Sequence, residues 1–149
     1  MPKATDVTVR PALPTEVIDL RHRVLRAGLA RETAIFDGDD APTTRHFVAE
    51  HDDRIVGCVT LVLNAWQGEP AWQLRGMAVK PALQGQGVGQ SMLLAVDDFV
   101  QSSAANRLWC NARVPAVQFY ERHGWAVASD EFDIPTAGPH RKMTKSFAD

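Results

Sequence analysis

The chain has 149 residues, 45% hydrophobic and 23% charged, with a formal net charge of -2. That length suits one domain, and the balance excludes disordered, collagen-like and small disulfide-scaffold proteins. The near-neutral charge supplies no bulk positive field to draw the chain to nucleic acid or an anionic membrane surface, so neither is an expected partner.

In chain order, Asp6 to Pro11 alternates and predicts a short edge strand. Pro14 and Thr15 open a helix, with Val17, Ile18, Leu20, Val24, Leu25 and Leu29 at three- and four-residue steps and Gly28 near its end. Residues 31–44 are polar, with Gly38 and Pro42, and predict a loop that leaves room for a short helix. His46 to Glu50 and Arg54 to Leu63 read as a strand pair joined by a tight turn at Asp52-Asp53. The second of these is apolar on both faces and should be central. Asn64 to Pro70 is another turn, and Trp72 to Val79 is the next strand, stopped by Pro81.

A glycine-rich stretch then leads into a helix from Val88 to Ser102, with Val88, Met92, Ala95, Val96, Phe99 and Val100 on its apolar face. Arg107 to Asn111 is a strand, Pro115 sits in the first turn of a helix to His123, and Gly124 closes it. Strands at Trp125 to Phe132 and about His140 to Lys145 finish the chain. The content is α/β, and three consecutive middle strands imply hairpins, hence a mixed sheet. No repeat or linker divides residues 1–149.

Cys58 and Cys110 lie in apolar runs and read as reduced core thiols. The opening MPKATDVTVR has no apolar stretch of a secretion signal, and no apolar run reaches the roughly 18 residues of a membrane span. A cytoplasmic location is the expectation. The five histidines, at 22, 46, 51, 123 and 140, show no metal-ligand spacing, so no metal is expected. Trp66, Trp72, Trp109 and Trp125 are dispersed and read as core or pocket wall rather than a base-stacking platform.

The most informative stretch is Gln84-Gly85-Gln86-Gly87-Val88-Gly89, between a strand and an amphipathic helix. The first amides of a helix lack intrahelical partners, and the dipole there favours an anion such as a pyrophosphate. A plain glycine-rich turn is the competing reading. A dinucleotide fingerprint fails at Gln90, a Walker loop fails for want of its lysine, and a nucleophile elbow fails at Leu93.

The pattern that fits is Gln84-x-x-Gly87-x-Gly89 after Met77-Ala78-Val79-Lys80-Pro81. It resembles the acyl-CoA motif of the GNAT-type N-acetyltransferases. The later NARVPAVQFYERHGW is similar to that family's second motif, and the two together cover about residues 72–125. The late Pro-His-x-x-Met, at 139 to 143, resembles small bacterial members.

The resemblance implies a single α/β domain whose mixed, mostly antiparallel sheet is splayed between strands 4 and 5 and flanked by helices. It implies acetyl-CoA as cosubstrate and a primary amine as acceptor, with no metal; dimers are common in the family. Backbone groups of Met77, Ala78 and Val79 would hold the pantetheine arm. Amides from Gly85 through Gln86, Gly87, Val88 and Gly89 to Gln90, with Gln84 opening the motif, would hold the pyrophosphate. Tyr120, the one tyrosine, falls at the position of the general acid. Asn111 or Arg113 would touch the cofactor, or stand as surface polar groups.

Some members carry a glutamate base twelve residues before the tyrosine; this chain has Leu108 there. Glu50, Asp40 and His140 remain candidate bases, beside water. Asp37, Asp39, Asp40 and Glu69 would give the acceptor rim a negative charge suited to a cationic amine, or form an ordinary solvated loop. The competing functions are a non-catalytic acyl-CoA sensor of the same fold and, more weakly, an ATP-binding protein.

Overall fold

The computed structural model describes residues 6–147; the first half of the MPKATDVTVR stretch lies outside them. The chain forms two compact units, Met1–Val62 with Arg75–Asp98, and Leu63–Leu74 with Phe99–Asp149. Strands β3 (Arg54–Leu63) and β4 (Trp72–Val79) run through both.

In the first unit, β1 (Thr8–Ala12) pairs antiparallel with β2 (Arg45–His51), which pairs antiparallel with β3. The β2–β3 turn is tight because Asp52 and Asp53 both take left-handed backbone, φ 51° and 60°, which matches the twist of a two-residue hairpin. Helix α1 (Ile18–Leu25) begins later than the sequence predicts. Pro14–Glu16 is instead a 3-10 turn, held tight by Glu16, whose carboxylate accepts the Leu13 N–H at 2.8 Å and two bonds from Arg10. Val17, Leu20, Val48, Cys58 and Ala78 form a buried cluster of this unit. The 31–44 loop does contain a short helix, a 3-10 turn at Arg31–Ala34.

Helix α2 (Val88–Gln101) starts where its pattern starts. Its first turns press on β3 at Gly57, where a Cβ would stand 2.9 Å from the Met92 sulfur and 3.1 Å from Val88. The missing side chain is what brings the helix, and the loop before it, down onto the strand.

In the second unit, the start of β4 pairs in parallel with β5 (Arg107–Arg113), through Trp72↔Leu108 and Gln73↔Trp109 alone. The register stops there, which is the open point that the family resemblance implied. Strand β5 pairs antiparallel with β8 (Gly138–Ser146), which also pairs with β6 (Ala126–Val127) and β7 (Phe132–Ile134). The strand order is β1-β2-β3-β4-β5-β8-β6, mixed and mostly antiparallel.

The predicted strand from Trp125 to Phe132 is therefore two short strands. Ser129 interrupts it: its hydroxyl donates to the Asp130 carbonyl and accepts the Lys142 N–H at 2.8 Å, replacing a ladder bond with a side-chain bond. Pro115 lies in a 3-10 turn, Val114–Ala116, ahead of α3 (Val117–Arg122). Among the described residues, no helix is long and apolar enough to cross a membrane.

Candidate active site

The residues singled out by sequence fall into two groups, one in each unit. In the first unit, Met77, Ala78 and Val79 end β4, and Gln84 through Gln90 cross from a 3-10 turn at Pro81–Leu83 into α2. Lys80 anchors this crossing, its N–H donating to the Val56 carbonyl at 2.8 Å. Gly85 and Gly87 take φ of 80° and 90°, a backbone that side chains resist, so the loop turns twice within three residues.

The amides of this loop are not equivalent. Gln86 N–H is committed to the Leu83 carbonyl at 3.2 Å, and Ser91 N–H closes the first helical bond onto Gly87. Helix geometry leaves the amides of Val88, Gly89 and Gln90 without intrahelical acceptors, at the positive end of the dipole. The Gln84 side chain folds back, its Nε2 donating to the Val79 carbonyl at 3.1 Å. Gln84 thus clasps the strand end to the loop.

Strand β4 is kinked just before Met77, because Gly76 takes φ 60°. A Cβ at Gly76 would sit 2.7 Å from Arg21 Nε and 3.0 Å from the Phe36 ring. Beneath it lies a network the sequence reading missed. Arg21, fully buried, donates to both oxygens of Asp39 at 2.7 and 3.0 Å, to the Ala34 carbonyl at 2.9 Å and to Thr60 Oγ at 2.7 Å. His46 bridges Thr60 and the Asp39 carbonyl. Burial alone would push the Asp39 carboxyl up; the hydrogen bonds from Arg21 and from Phe36 N–H outweigh it and hold the carboxyl below its usual range. Asp39 is therefore an internal counter-ion, not a charge on the rim.

The Cys58 thiol, on β3, donates across to the Gly76 carbonyl of β4 at 3.6 Å, and burial pushes its pKa up to about 11. Cys110 is likewise buried, free and pushed up to about 12.

In the second unit, Tyr120 is buried in α3, edge-on to Phe119 and Trp125 with ring centroids at 5.4 and 5.2 Å. Burial, with a smaller contribution from Cys110, raises its phenol far above the usual value. It carries its proton throughout the physiological range. Trp125 Nε1 is buried beside it with no hydrogen-bond partner.

Asn111 Oδ1 accepts from Lys142 Nζ at 3.0 Å, and that ammonium also lies 5.0 Å from the Trp109 ring. Arg113 is exposed at the end of β5, opposite His140 in the register. His140 is buried, and its Nδ1 lies 2.7 Å from the Gly138 carbonyl; a carbonyl only accepts, so Nδ1 carries a proton and donates. Glu50 is engaged by Arg10 at 2.8 Å, and Asp40 is exposed. Of the three candidate bases, His140 alone is buried. Among the described residues, no three His, Cys, Asp or Glu side chains converge on a metal site.

Residues 15–125 match the acetyltransferase (GNAT) family. The chain is 27% identical over 138 residues to a Bacillus subtilis (strain 168) protein named uncharacterized N-acetyltransferase YitI, covering 89% of this chain and 91% of that one. Escherichia coli ElaA has a similar fold, with a TM-score of 0.77 at 16% identity over 94% of this chain and 99% of its own. A GNAT family acetyltransferase from Elizabethkingia anophelis, solved with acetyl-CoA bound, gives 0.69 at 15% identity over 95% and 99%.

Proposed function

The chain belongs to the GNAT acetyltransferase family and is an N-acetyltransferase; on that premise we propose that it moves an acetyl group from acetyl-CoA to a primary amine by direct attack in a ternary complex. The observation that carries the reading is the continuous run from kinked β4 through two left-handed glycines into α2. It offers strand-edge backbone to an extended arm and unspent amides to a diphosphate. We take residues 1–149 as one catalytic domain, since the family match runs through both units. The unbridged thiols suit a reducing compartment, and we place the enzyme in the cytosol.

The acyl donor supplies the activated thioester. The neutral amine attacks the carbonyl carbon, a C–N bond forms, and collapse of the tetrahedral intermediate breaks the C–S bond. Tyr120 gives its proton to the departing sulfur and regains one from solvent. The extra proton on the new amide nitrogen leaves to water or to His140 Nε2. Asn111 and Arg113 would assist by touching the cofactor arm. Because burial disfavours the phenolate, reprotonation of Tyr120 has to keep pace with thiol release.

The test is calorimetric titration with acetyl-CoA, followed by a thiol-release screen over polyamines, aminoglycosides, amino acids and peptides. Saturable binding with release on at least one amine is expected. Tight binding with no release on any amine would instead favour the sensor, and absent binding would remove the cofactor assignment.

A further inference from the structure

Three arginines of the first unit share one ring. The guanidinium carbons of Arg21, Arg75 and Arg26 lie 4.0, 5.0 and 5.2 Å from the centroid of Phe36. Asp39 answers Arg21, and its oxygens are spent there and on Phe36 N–H. Arg21 Nε still has no partner, although it is fully buried. Arg75 has no carboxylate partner among the described residues; its one hydrogen bond runs from Nη1 to the Asp37 carbonyl, at 3.3 Å. Desolvation, then the charge of Arg21, pushes the Arg75 pKa down, with the Asp39 and Asp37 charges offsetting only part of it, so an anion at the free edge of the guanidinium would complete the compensation.

Location says which anion. Arg75 stands two residues before Met77, about 7 Å along a strand that rises about 3.3 Å per residue. The Gly85–Gln90 loop lies beyond the other end of β4. An anion at Arg75 is therefore not the diphosphate of the cofactor. The planar fork of a guanidinium matches a carboxylate.

We propose that Arg75, seated on Phe36 beside Gly76, anchors a carboxylate of the acceptor, so that the amine substrate is an amino acid or a close relative. This deepens the transferase reading and rests on it. It also departs from the cationic acceptor expected from the acidic 31–44 loop: Asp39 is neutralised inside by Arg21, and the Asp37 carbonyl accepts from Arg75.

The experiment measures kcat/KM by thiol release for the common amino acids, each against its carboxamide. The wild type should prefer at least one acid over its amide by tenfold or more. Arg75→Gln should cut that preference at least tenfold through KM, and Arg75→Lys should restore it only in part. Arg23→Gln, an exposed position on α1, is the control and should leave the preference unchanged. Amides consumed as well as acids by the wild type, or an unaltered preference in Arg75→Gln, would overturn the proposal while the transferase stands. If acetyl-CoA binds but no amine releases thiol, the transferase reading fails on its own. Calorimetric titration with the same amino acids then decides the anion site: binding lost in Arg75→Gln upholds it, and no binding overturns it.

Discussion

Around Arg21 the first unit buries a full ion pair with directed hydrogen bonds, whereas around Tyr120 the second unit packs Phe119, Trp125 and a neighbouring thiol. The two solutions fail differently. A buried charge stripped of its partner has nowhere to send its field, so a one-atom change is expensive. An aromatic cluster tolerates a change that preserves shape. The Arg21 network should thus answer point substitutions with stability, and the Tyr120 cluster with chemistry.

The largest effect that would test this contrast is on turnover. Tyr120→Phe should lower kcat by about 10²- to 10⁴-fold, the range for a lost general acid. Its acetyl-CoA affinity should stay within about twofold and its stability within about 1 kcal/mol. Wild-type activity should show no alkaline fall traceable to this phenol below about pH 10, since its raised pKa keeps the proton on. Unchanged kcat in the variant removes Tyr120 from the reaction.

Next comes the ion pair. Asp39→Asn should cost about 3–5 kcal/mol in urea unfolding, and an Arg21→Met, Asp39→Leu double variant should cost clearly less than the two singles summed. A loss under about 1 kcal/mol for Asp39→Asn would erase the distinction between the network and the cluster.

Gly57→Val should cost about 1–3 kcal/mol by overpacking Met92 and Val88, and should weaken acetyl-CoA binding by displacing the start of α2. Stability lost with affinity intact would separate the helix position from the loop.

The smallest effect is at Glu16. The hydrogen bond from Arg10, then that from Leu13 N–H, holds its carboxyl down to about 2, against an ordinary 4.5. A depressed folded pKa stabilises above the ordinary value and is lost as pH falls through the folded one. Glu16→Gln should therefore flatten part of the stability decline between those two values in acid unfolding. An identical slope in the variant would remove this contact from the acid response.

What could be read from sequence tracks how local each cause is. The β3, β4 and α2 starts and the Asp52-Asp53 turn depend on near neighbours, and they fall where the pattern put them. The break in the Trp125 to Phe132 run depends on a hydroxyl meeting a strand remote in sequence, and the pattern is blind to it. The Arg21 network depends on four separated segments, yet a signal existed: Arg21 lies four residues from both Val17 and Leu25, on the apolar face of its helix. A cation on that face calls for a buried anion. The kink at Gly76 left no comparable trace, because a lone glycine in a strand has several explanations.

Cys58 gives the catalyst a protection of its own. A protein that handles thioesters risks becoming their acceptor, and this thiol lies against the strand segment assigned to the acyl arm. With its pKa near 11, only about one molecule in ten thousand carries the reactive thiolate at neutral pH. On that assignment, the same burial that fills the core keeps this thiol a poor acceptor for the acetyl group.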